Sequence, residues 1–278
     1  SMNFLQKKTF QGLTYFKLGS NLFGKPQIYV YSYLVDEILI DTGQPRVRKE
    51  LLNALKKEAV QKILVTHHHE DHSGNIEAIK QLKGIEAYAS PLCCEILKNP
   101  PKVEPARWVT WGQRPKAQLL PLPQNEQFIT PNGLFSFEVL DTPGHAIDQI
   151  SLYEPNRGWL FSGDLFVHDY VKVFMRDENI AEQITSIQKL LKLDFEVLLC
   201  NHQPIFSDAK PRLQNKLQFL QDFYGKIEGE YKKGFVTPKE IMKVLGMEEY
   251  RFMQAFSLGQ LSRINMVKSV VRCIEDLE

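Results

Sequence analysis

Residues 66–75 read Thr-His-His-His-Glu-Asp-His-Ser-Gly-Asn, a run dense in side chains that can bind a metal or move a proton. The apolar run Ile63–Val65 directly before it predicts a short buried strand. A helix is predicted from about Asn75 to Leu82, with Gly84 ending it. The histidine-rich stretch is therefore a loop joining the end of a strand to the start of a helix, and loops of this kind often carry functional residues.

The spacing within this loop favours a metal site. His67 and His69 are two residues apart, so an extended chain points both side chains the same way. Asp71 and His72 follow where the chain turns into the helix, and Gly74 permits that turn. Imidazole and carboxylate donors without a thiolate are typical of zinc, iron or manganese and disfavour a closed structural zinc site. Because one cation rarely takes this many ligands from one loop while keeping a water, two metals are predicted.

Further donors follow other predicted strands. Asp41 ends the strand predicted at Ile38–Asp41, while His145, Asp164 and His202 each come shortly after a later strand. Those three strands are predicted at Leu134–Leu140, Gly158–Ser162 and Val197–Cys200. Sites in proteins of alternating strands and helices are built where strand ends meet. The sequence therefore predicts that these side chains join the histidine-rich loop in one site.

Composition excludes several classes of protein. The 278 residues carry 34 Lys plus Arg against 33 Asp plus Glu, a balance that gives no general attraction to nucleic acid or an anionic membrane. With 43% hydrophobic and 24% charged residues the chain is expected to be globular rather than disordered. No apolar run approaches the ~20 residues that a membrane helix needs.

The expected location is the cytoplasm. Residues 1–12 lack the long apolar centre of a signal peptide, and Ser1 before Met2 is interpreted as a remnant of expression. None of the cysteines forms a CxxC pair, which is typical of a reducing compartment. They are Cys93, Cys94, Cys200 and Cys273, each expected to be a small buried apolar residue.

Two domains are predicted, residues 1–205 and residues 206–278. The first contains the predicted strands and a proline-rich stretch, Pro91–Pro123, whose prolines forbid long helices. The second is helical: one long charged helix at Lys210–Lys233 precedes a capping box at Thr237–Glu240, which starts another.

The histidine pattern, together with the Thr-Pro-Gly-His and Ser-Gly-Asp motifs ending at His145 and Asp164, resembles the metallo-β-lactamase superfamily over roughly residues 13–205. That resemblance implies a mixed α/β fold (α+β), a four-layer αββα sandwich with two metals at one edge of the sheets. It assigns the first metal to His67, His69 and His145. It assigns the second to Asp71, His72 and His202, with Asp164 bridging both. A hydroxide held between the two metals would be the nucleophile.

The resemblance also bears on roles. Asp71 and Asp164 are the candidate catalytic carboxylates, and Asp41 and Thr66 are expected to orient ligand imidazoles. Asp164 stands where antibiotic-hydrolysing members generally carry another residue, which favours the glyoxalase II, ribonuclease Z and lactamase-like endoribonuclease groups. His202 is flanked by Asn201 and Gln203 instead of the usual glycines. The helical tail resembles the winged-helix-like appendage of the endoribonuclease group, and glyoxalase II also ends in helices.

Several other residues are weaker candidates. His168 and Tyr170 are expected near the pocket rim, and Trp108 and Trp111 either line the pocket or pack beneath a lid. His68 and Glu70 are expected to face solvent or to support the ligands from behind. The basic residues of the proline-rich stretch are interpreted as a solvated face, with an anion-steering rim as the alternative. They are Lys98, Lys102, Arg107, Arg114 and Lys116.

The predicted function is metal-dependent hydrolysis of an ester-like bond: a thioester, lactone, carboxylic ester or phosphoric ester. Two divalent cations are expected, with zinc favoured and iron or manganese as alternatives. The predicted partner is a small-molecule ester or thioester. Two alternatives remain open at this point, namely an RNA-cleaving nuclease and a mononuclear iron persulfide dioxygenase.

Overall fold

A computed structural model describes residues 3–20, 28–123 and 127–277, and these fold into two β-sheets packed face to face. One hydrophobic cluster lies between the sheets, and another lies on the outer face of each sheet beneath helices. The predicted four-layer αββα arrangement is therefore confirmed.

The first sheet contains seven strands in chain order. They are β1 (Phe4–Phe10), β2 (Leu13–Gly19), β3 (Tyr29–Val35), β4 (Ile38–Ile40), β5 (Lys62–Leu64), β6 (Glu86–Ala89) and β7 (Leu120–Pro121). Strands β1 to β4 are antiparallel neighbours, whereas β4 to β7 run parallel. Strands β3 and β4 form one hairpin and β1 and β2 form another, and the β1–β2 hairpin was not predicted from sequence.

The second sheet has the order β12-β11-β10-β9-β8. Its strands are β8 (Gln127–Ile129), β9 (Ser136–Asp141), β10 (Ile150–Glu154), β11 (Trp159–Gly163) and β12 (Val197–Cys200). Strands β8 to β11 are antiparallel to their neighbours, and β12 runs parallel to β11. Strands β9, β11 and β12 consequently end at the same edge of this sheet.

The alternation of side chains along each strand divides the cores. In β5, Ile63 contributes to the cluster beneath the helices and Leu64 to the cluster between the sheets. In β12, Leu198 faces the outer helices while Val197 and Leu199 face the first sheet. Both faces of these strands are buried, which explains why their sequences are continuous apolar runs instead of alternating ones.

The first half contains the helices α1 (Arg48–Leu55), α2 (Glu70–Ser73), α3 (Ile76–Lys83), α4 (Pro91–Lys98) and α5 (Pro105–Trp111). Of these, α1, α3 and α4 contribute residues to the hydrophobic cluster on the outer face of the first sheet. The proline-rich stretch contains no long helix, as predicted, but it holds the two short helices α4 and α5. Each has its proline at the first helical position, where the missing N–H costs no hydrogen bond.

The second half contains the helices α6 (Ile180–Leu190), α7 (Ala209–Lys232), α8 (Pro238–Val244), α9 (Arg251–Phe256) and α10 (Arg263–Glu275). All of these except α9 contribute residues to the hydrophobic cluster on the outer face of the second sheet. The predicted capping box at Thr237 and Glu240 starts α8. Residues 206–277 contain helices and turns without a β-hairpin, so the winged-helix likeness does not extend to a wing.

The tail helices share one hydrophobic cluster with β11, β12 and α6. Leu213 and Leu220 of α7 and Val270 of α10 are buried in the same cluster as Leu160. The boundary at residues 205 and 206 stays a prediction. The four cysteines are buried and unpaired. In the described part of the chain, no helix has the length and apolar character needed to span a bilayer.

Candidate metal centre

The ends of four strands, β5, β9, β11 and β12, deliver the predicted ligands to one region, and the end of β4 delivers Asp41 beside them. The loop 66–75 follows β5, and Asp41 directly follows β4. Asp164 directly follows β11, and His202 comes two residues after the end of β12. A backbone hydrogen bond links the start of this loop to β10 of the second sheet, since the Ile150 N–H donates to the Thr66 carbonyl at 2.9 Å. The sandwich therefore positions side chains that are more than 130 residues apart in sequence.

The first group of donors comprises His67, His69 and His145, whose ligand atoms lie within 4.8 Å of one another. His69 Nδ1 lies 3.1 Å from His67 Nε2 and 3.1 Å from His145 Nε2. His67 and His69 are buried, and the side chain of His145 is 12% exposed. Three imidazole nitrogens facing a common point form a set that suits a tetrahedral cation with one open position.

The second group comprises Asp71, His72, Asp164 and His202, again within 4.8 Å of one another. His202 Nε2 lies 3.2 Å from Asp71 Oδ2, and His72 Nε2 lies 3.5 Å from the same oxygen. The short helix α2 carries both Asp71 and His72, so one helical turn presents a carboxylate and an imidazole to the same point. Two carboxylates and two imidazoles can hold a divalent cation.

Asp164 connects the two groups. Its Oδ2 lies 3.2 Å from both His72 Nε2 and His202 Nε2 of the second group. The same oxygen lies 3.6 Å from His145 Nε2 of the first group. A single carboxylate oxygen thus lies beside ligand atoms of both sets.

Asp41 fixes the orientation of two histidines. Its Oδ2 lies 2.9 Å from His72 Nδ1 and accepts from Thr66 Oγ1 at 2.8 Å, while Oδ1 accepts from the Thr66 N–H at 2.7 Å. Because the Thr66 hydroxyl donates to Asp41, its lone pair is left to accept from His67 Nδ1 at 3.0 Å. The Nε2 atoms of His67 and His72 are therefore free to face the two donor groups, a common arrangement in metal proteins.

The unusual residue before His202 also contacts Asp41. Asn201 Nδ2 donates to Asp41 Oδ2 and to the Tyr31 carbonyl, both at 2.8 Å. His202 Nδ1 lies 2.8 Å from the Tyr29 carbonyl, which leaves Nε2 facing the second group. The asparagine thus ties the loop after β12 to the first sheet.

Glu178 is a functional residue that sequence reasoning missed. It is buried, and its Oε2 lies 3.4 Å from His145 Nδ1. The Met175 N–H and Gln183 Nε2 hold the two Glu178 oxygens at 3.0 and 2.8 Å. Nothing in the sequence around Glu178 distinguishes it from other glutamates, because only the fold brings it to His145.

Burial and charge act on the two groups in opposite directions. Burial, reinforced by neighbouring positive groups, holds the pKa values of His67 and His69 well below the usual range. Burial also opposes protonation of His72 and His202, but Asp164 and other carboxylates outweigh it, raising the pKa of His202 to about 10. Burial alone would raise the pKa of Asp164, yet His202 and His72 hold it well below its usual value. The first group therefore offers neutral imidazoles, whereas the second pairs two ionised carboxylates with two imidazoles that they stabilise in the protonated form.

An unmet hydrogen bond at Asp164 is consistent with a metal pair. Asp164 Oδ1 is buried, and among the described residues it has no hydrogen-bond partner. Buried polar atoms are rarely left in this state unless an ion or water meets them. Nitrogen and oxygen donors without sulfur suit zinc, iron or manganese.

The two arginines of the proline-rich stretch are not solvated, which corrects the prediction for this part of the basic face. Arg107 donates to Glu70 and, at 3.2 Å, to Asp71 Oδ1. Arg114 is 4% exposed and donates to the His68 carbonyl at 2.7 Å. Lys98, Lys102 and Lys116 are exposed, as predicted. The two arginines pack against the histidine-rich loop because buried Glu70 supplies them with a counter-charge.

The intervening residues of the loop are likewise not turned to solvent. Glu70 is buried, and the His68 side chain is 12% exposed. His68 Nδ1 lies 2.6 Å from Asp148 Oδ1, and its N–H donates to Asp148 Oδ2 at 2.8 Å. The expectation that these residues support the ligands from behind describes their contacts better than exposure does.

The aromatic candidates separate into two pairs. Trp111 is buried, with its ring 6.2 Å from that of His202, whereas Trp108 is 49% exposed. His168 and Tyr170 contact one another, with ring centroids 4.3 Å apart. Tyr170 is also exposed. Of these four residues, Trp111 packs near His202 of the second donor group. Substrate contact by any of the four stays a prediction.

A cleft of 320 Å³ opens beside the first group. His69 and Arg107 line it on one side, while Lys102, Arg176 and Gln260 line the rest. Gln260 lies between α9 and α10, so the helical tail contributes to a wall next to the donors. The cleft is large enough for part of a small substrate.

A buried lysine supports the loop that carries Asp164. Lys216 of α7 is buried and donates to the Leu165 carbonyl, one residue past Asp164. Burial lowers the pKa of Lys216 from 10.5 to about 8, although Glu178 and Asp164 oppose this. Between pH 8 and 10.5 the unfolded chain therefore binds a proton that the folded chain has released.

This difference predicts a pH-dependent effect of Lys216→Met. The cost of burying the charge is fully present below pH 8 and disappears as the pH approaches 10.5, so the contribution of Lys216 to stability rises with pH. Urea denaturation should show the stability of the variant relative to the native chain falling by on the order of 1–3 kcal/mol across that window. Lys226→Met, on an exposed face of α7, is the control. A flat difference from pH 7 to 10.5 would disprove the assignment.

Comparisons with known proteins agree with this geometry. A family model described as Metallo-beta-lactamase superfamily matches residues 26–202. A hydroxyacylglutathione hydrolase from Idiomarina loihiensis is 35% identical over 172 residues, covering 60% of this chain and 56% of the relative. A beta-lactamase-like protein 2 homolog from Drosophila melanogaster is 30% identical over 203 residues, covering 67% and 64%. The chain thus spans less than two-thirds of the length of these relatives.

Solved structures show the same fold. A metallo-beta-lactamase from Pontibacter korlensis aligns with a TM-score of 0.60 at 22% identity, covering 78% of this chain and 99% of that one. A flavoprotein from Thermotoga maritima aligns with a TM-score of 0.59 at 19% identity, covering 79% and 62%. Since the superfamily match covers more than half of the residues and includes every strand end that supplies a donor, this chain belongs to the metallo-β-lactamase superfamily.

Proposed function

We propose that this chain is a hydrolase that uses two divalent cations, one at each donor group, to cleave an ester-like bond, with thioesters as the substrate class. The observation that carries the proposal is the position of Asp164. Its Oδ2 is 3.2 Å from His72 Nε2 and 3.6 Å from His145 Nε2, so one oxygen adjoins both groups. A carboxylate in this position could help to hold both cations of a pair, which together would activate water and polarise the substrate oxygen.

In the proposed reaction the protein holds its donors in fixed orientations. Asp41 and Thr66 hold His72 and His67, and Glu178 holds His145. When bound, the two cations would supply hydroxide at neutral pH and polarise the substrate carbonyl. Little reorganisation of the donors would be needed at the moment of reaction, because their partners are already in place.

The two aspartates have different parts in this proposal. Asp164 would adjoin both cations, and Asp71 would bind the second through Oδ2 while Arg107 occupies Oδ1. Asp71 is also the carboxylate available to accept a proton from the attacking water, with basicity reduced by its role as a ligand. Zinc is the expected metal, since imidazole and carboxylate donors suit it, and iron or manganese could occupy the same donors.

Two observations support a thioester substrate. The relative from Idiomarina loihiensis is named for hydrolysing hydroxyacylglutathione, which is a thioester, and it is 35% identical over 172 residues. The cleft beside His69 provides room for a small substrate next to the donors.

The near-neutral net charge favours a small substrate over RNA, because RNA binding depends on contacts between cationic side chains and phosphates. The buried, unpaired cysteines support a cytoplasmic location.

The test combines metal analysis with a turnover screen. Purified protein should contain about two zinc ions per chain, and turnover of thioesters should exceed that of lactones, carboxylic esters and phosphodiesters. Activity should disappear after chelation and return on adding zinc. Full turnover by the dialysed, metal-free protein would refute the proposal.

The two alternative functions are distinguished in the same screen. Preferential cleavage of single-stranded RNA, dependent on the tail helices, would favour the nuclease. One iron per chain with oxygen consumption on a persulfide would favour the dioxygenase. The second donor group is complete, with two carboxylates, which argues for two cations rather than one.

A further inference from the structure

A buried cluster of charges lies directly behind the second donor group. Arg107 of α5 is at its centre, with its side chain 17% exposed. Its Nε donates to Glu70, its Nη2 to Asp71 Oδ1 at 3.2 Å, and its Nη1 to Met175 Sδ at 3.0 Å. Arg114 adds a second positive charge 3.8 Å from Glu70. All sides of the Arg107 guanidinium are therefore engaged.

The two oxygens of Asp71 face opposite neighbours. Oδ1 accepts from Arg107, while Oδ2 is 3.2 Å from His202 Nε2 and 3.5 Å from His72 Nε2. A carboxylate held at one oxygen presents the other in a single orientation. A guanidinium does this better than an ammonium, because its planar fork makes several directed bonds at once.

We propose that Arg107, held by Glu70, is a positioning residue that strengthens binding of the second cation by orienting Asp71. The inference rests on the two-cation function proposed above. It assigns a purpose to α5: the proline-rich stretch carries an arginine from outside the histidine-rich loop to one of its ligands. In this proposal Arg107 does not bind the cation itself and acts on it through Asp71.

Charge and orientation make opposite predictions for this residue. An arginine beside a cation site repels the cation, so removing it should tighten binding if charge were all that mattered. If Arg107 orients the ligand, removing it should loosen binding despite the relief of repulsion. Loss of a residue that holds a metal ligand commonly costs 10–100-fold in affinity.

The experiment measures stepwise zinc binding to the metal-free full chain, by competition with a chromophoric chelator. Arg107→Met should raise the second dissociation constant at least about tenfold and change the first by less than about threefold. Arg107→Lys keeps the charge but loses the planar guanidinium. Its second dissociation constant should lie between those of the native chain and of Arg107→Met. Arg251→Met, on an exposed position of α9, is the matched control and should bind zinc like the native chain.

A double variant separates folding and charge from orientation. Arg107→Met alone leaves Glu70 with Arg114 as its partner, and a poorly paired buried charge can prevent folding. Glu70→Gln/Arg107→Met removes one charge of each sign, so net charge is unchanged. If orientation matters, the second constant should still rise at least about tenfold. Tighter second-site binding in Arg107→Met, or unchanged binding in the double variant, would overturn the inference.

Native protein that binds fewer than two zinc ions would instead refute the function on which the inference rests. If the native protein binds two zinc ions but the second dissociation constant is the same in the native chain and in the Arg107 variants, only the positioning role is refuted. The two failures are thus distinguishable from the same titration.

Discussion

Asp164→Ala is expected to lower kcat/KM for thioester hydrolysis by at least about 10²-fold, because even residues that only hold a ligand cost 10–100-fold. The reason is the position of Asp164 Oδ2 between ligand atoms of both groups. Its loss should disturb both cations, whereas loss of His202 should disturb only the second. Metal analysis alongside steady-state kinetics should show fewer than two zinc ions per chain in the variant.

The control for Asp164 is Asp222→Ala, which removes an exposed carboxylate from α7. It should leave zinc content and kinetics unchanged. An Asp164→Ala protein that retained two zinc ions and turned over within a few-fold of the native rate would show that this oxygen is not shared between cations.

Asp41→Ala is expected to be the most destabilising substitution near the site, costing at least about 3 kcal/mol of unfolding free energy. Asp41 is fully buried and accepts bonds from Thr66, His72 and Asn201. Each buried donor left without an acceptor costs ~1–3 kcal/mol. Urea denaturation of the metal-free protein measures the loss without a contribution from bound zinc.

Backbone conformation adds a second, separable cost at this position. Asp41 has φ 59°, a left-handed conformation that alanine adopts at a cost of roughly 1–2 kcal/mol. Asp41→Gly loses the same hydrogen bonds without that cost, so it should be about 1 kcal/mol more stable than Asp41→Ala.

Asp36→Ala is the comparison outside the site. Asp36 also has positive φ, 43°, and accepts from Thr130 and Asn132, but it is only partly buried, so water can replace it. Asp36→Ala should therefore lower the unfolding free energy clearly less than Asp41→Ala does. Equal losses of unfolding free energy in Asp36→Ala and Asp41→Ala would show that burial of the hydrogen bonds at Asp41 does not increase the cost of losing them.

Many of the central strands could be predicted because a strand that is buried on both faces has a sequence that is apolar at every position. Runs such as Ile63–Val65 and Val197–Cys200 are apolar throughout, and both became buried strands. The N-terminal hairpin Phe4–Gly19 was missed because its first strand is largely exposed and polar. The helices α4 and α5 were missed because proline was interpreted as a breaker where it is a first helical residue.

The predicted donors were found from sequence because strand ends and short motifs are local features. His67, His69, Asp71 and His72 lie within one loop, and Asp164 directly follows a strand. Their convergence into two groups agrees with the expected positions.

The four-layer arrangement was expected from the resemblance that the short histidine and aspartate motifs carry. The strand ends and the residues that could be donors followed from apolar runs and spacing, which are properties of neighbouring residues. The charges that lie behind the donors became visible only in the folded chain: Glu178 against His145, Arg107 against Asp71, and Lys216 beneath the Asp164 loop. An isolated Glu, Arg or Lys reads as a surface residue in any sequence. It becomes part of a site only when packing removes water from it and leaves a distant partner as the one group able to satisfy its charge.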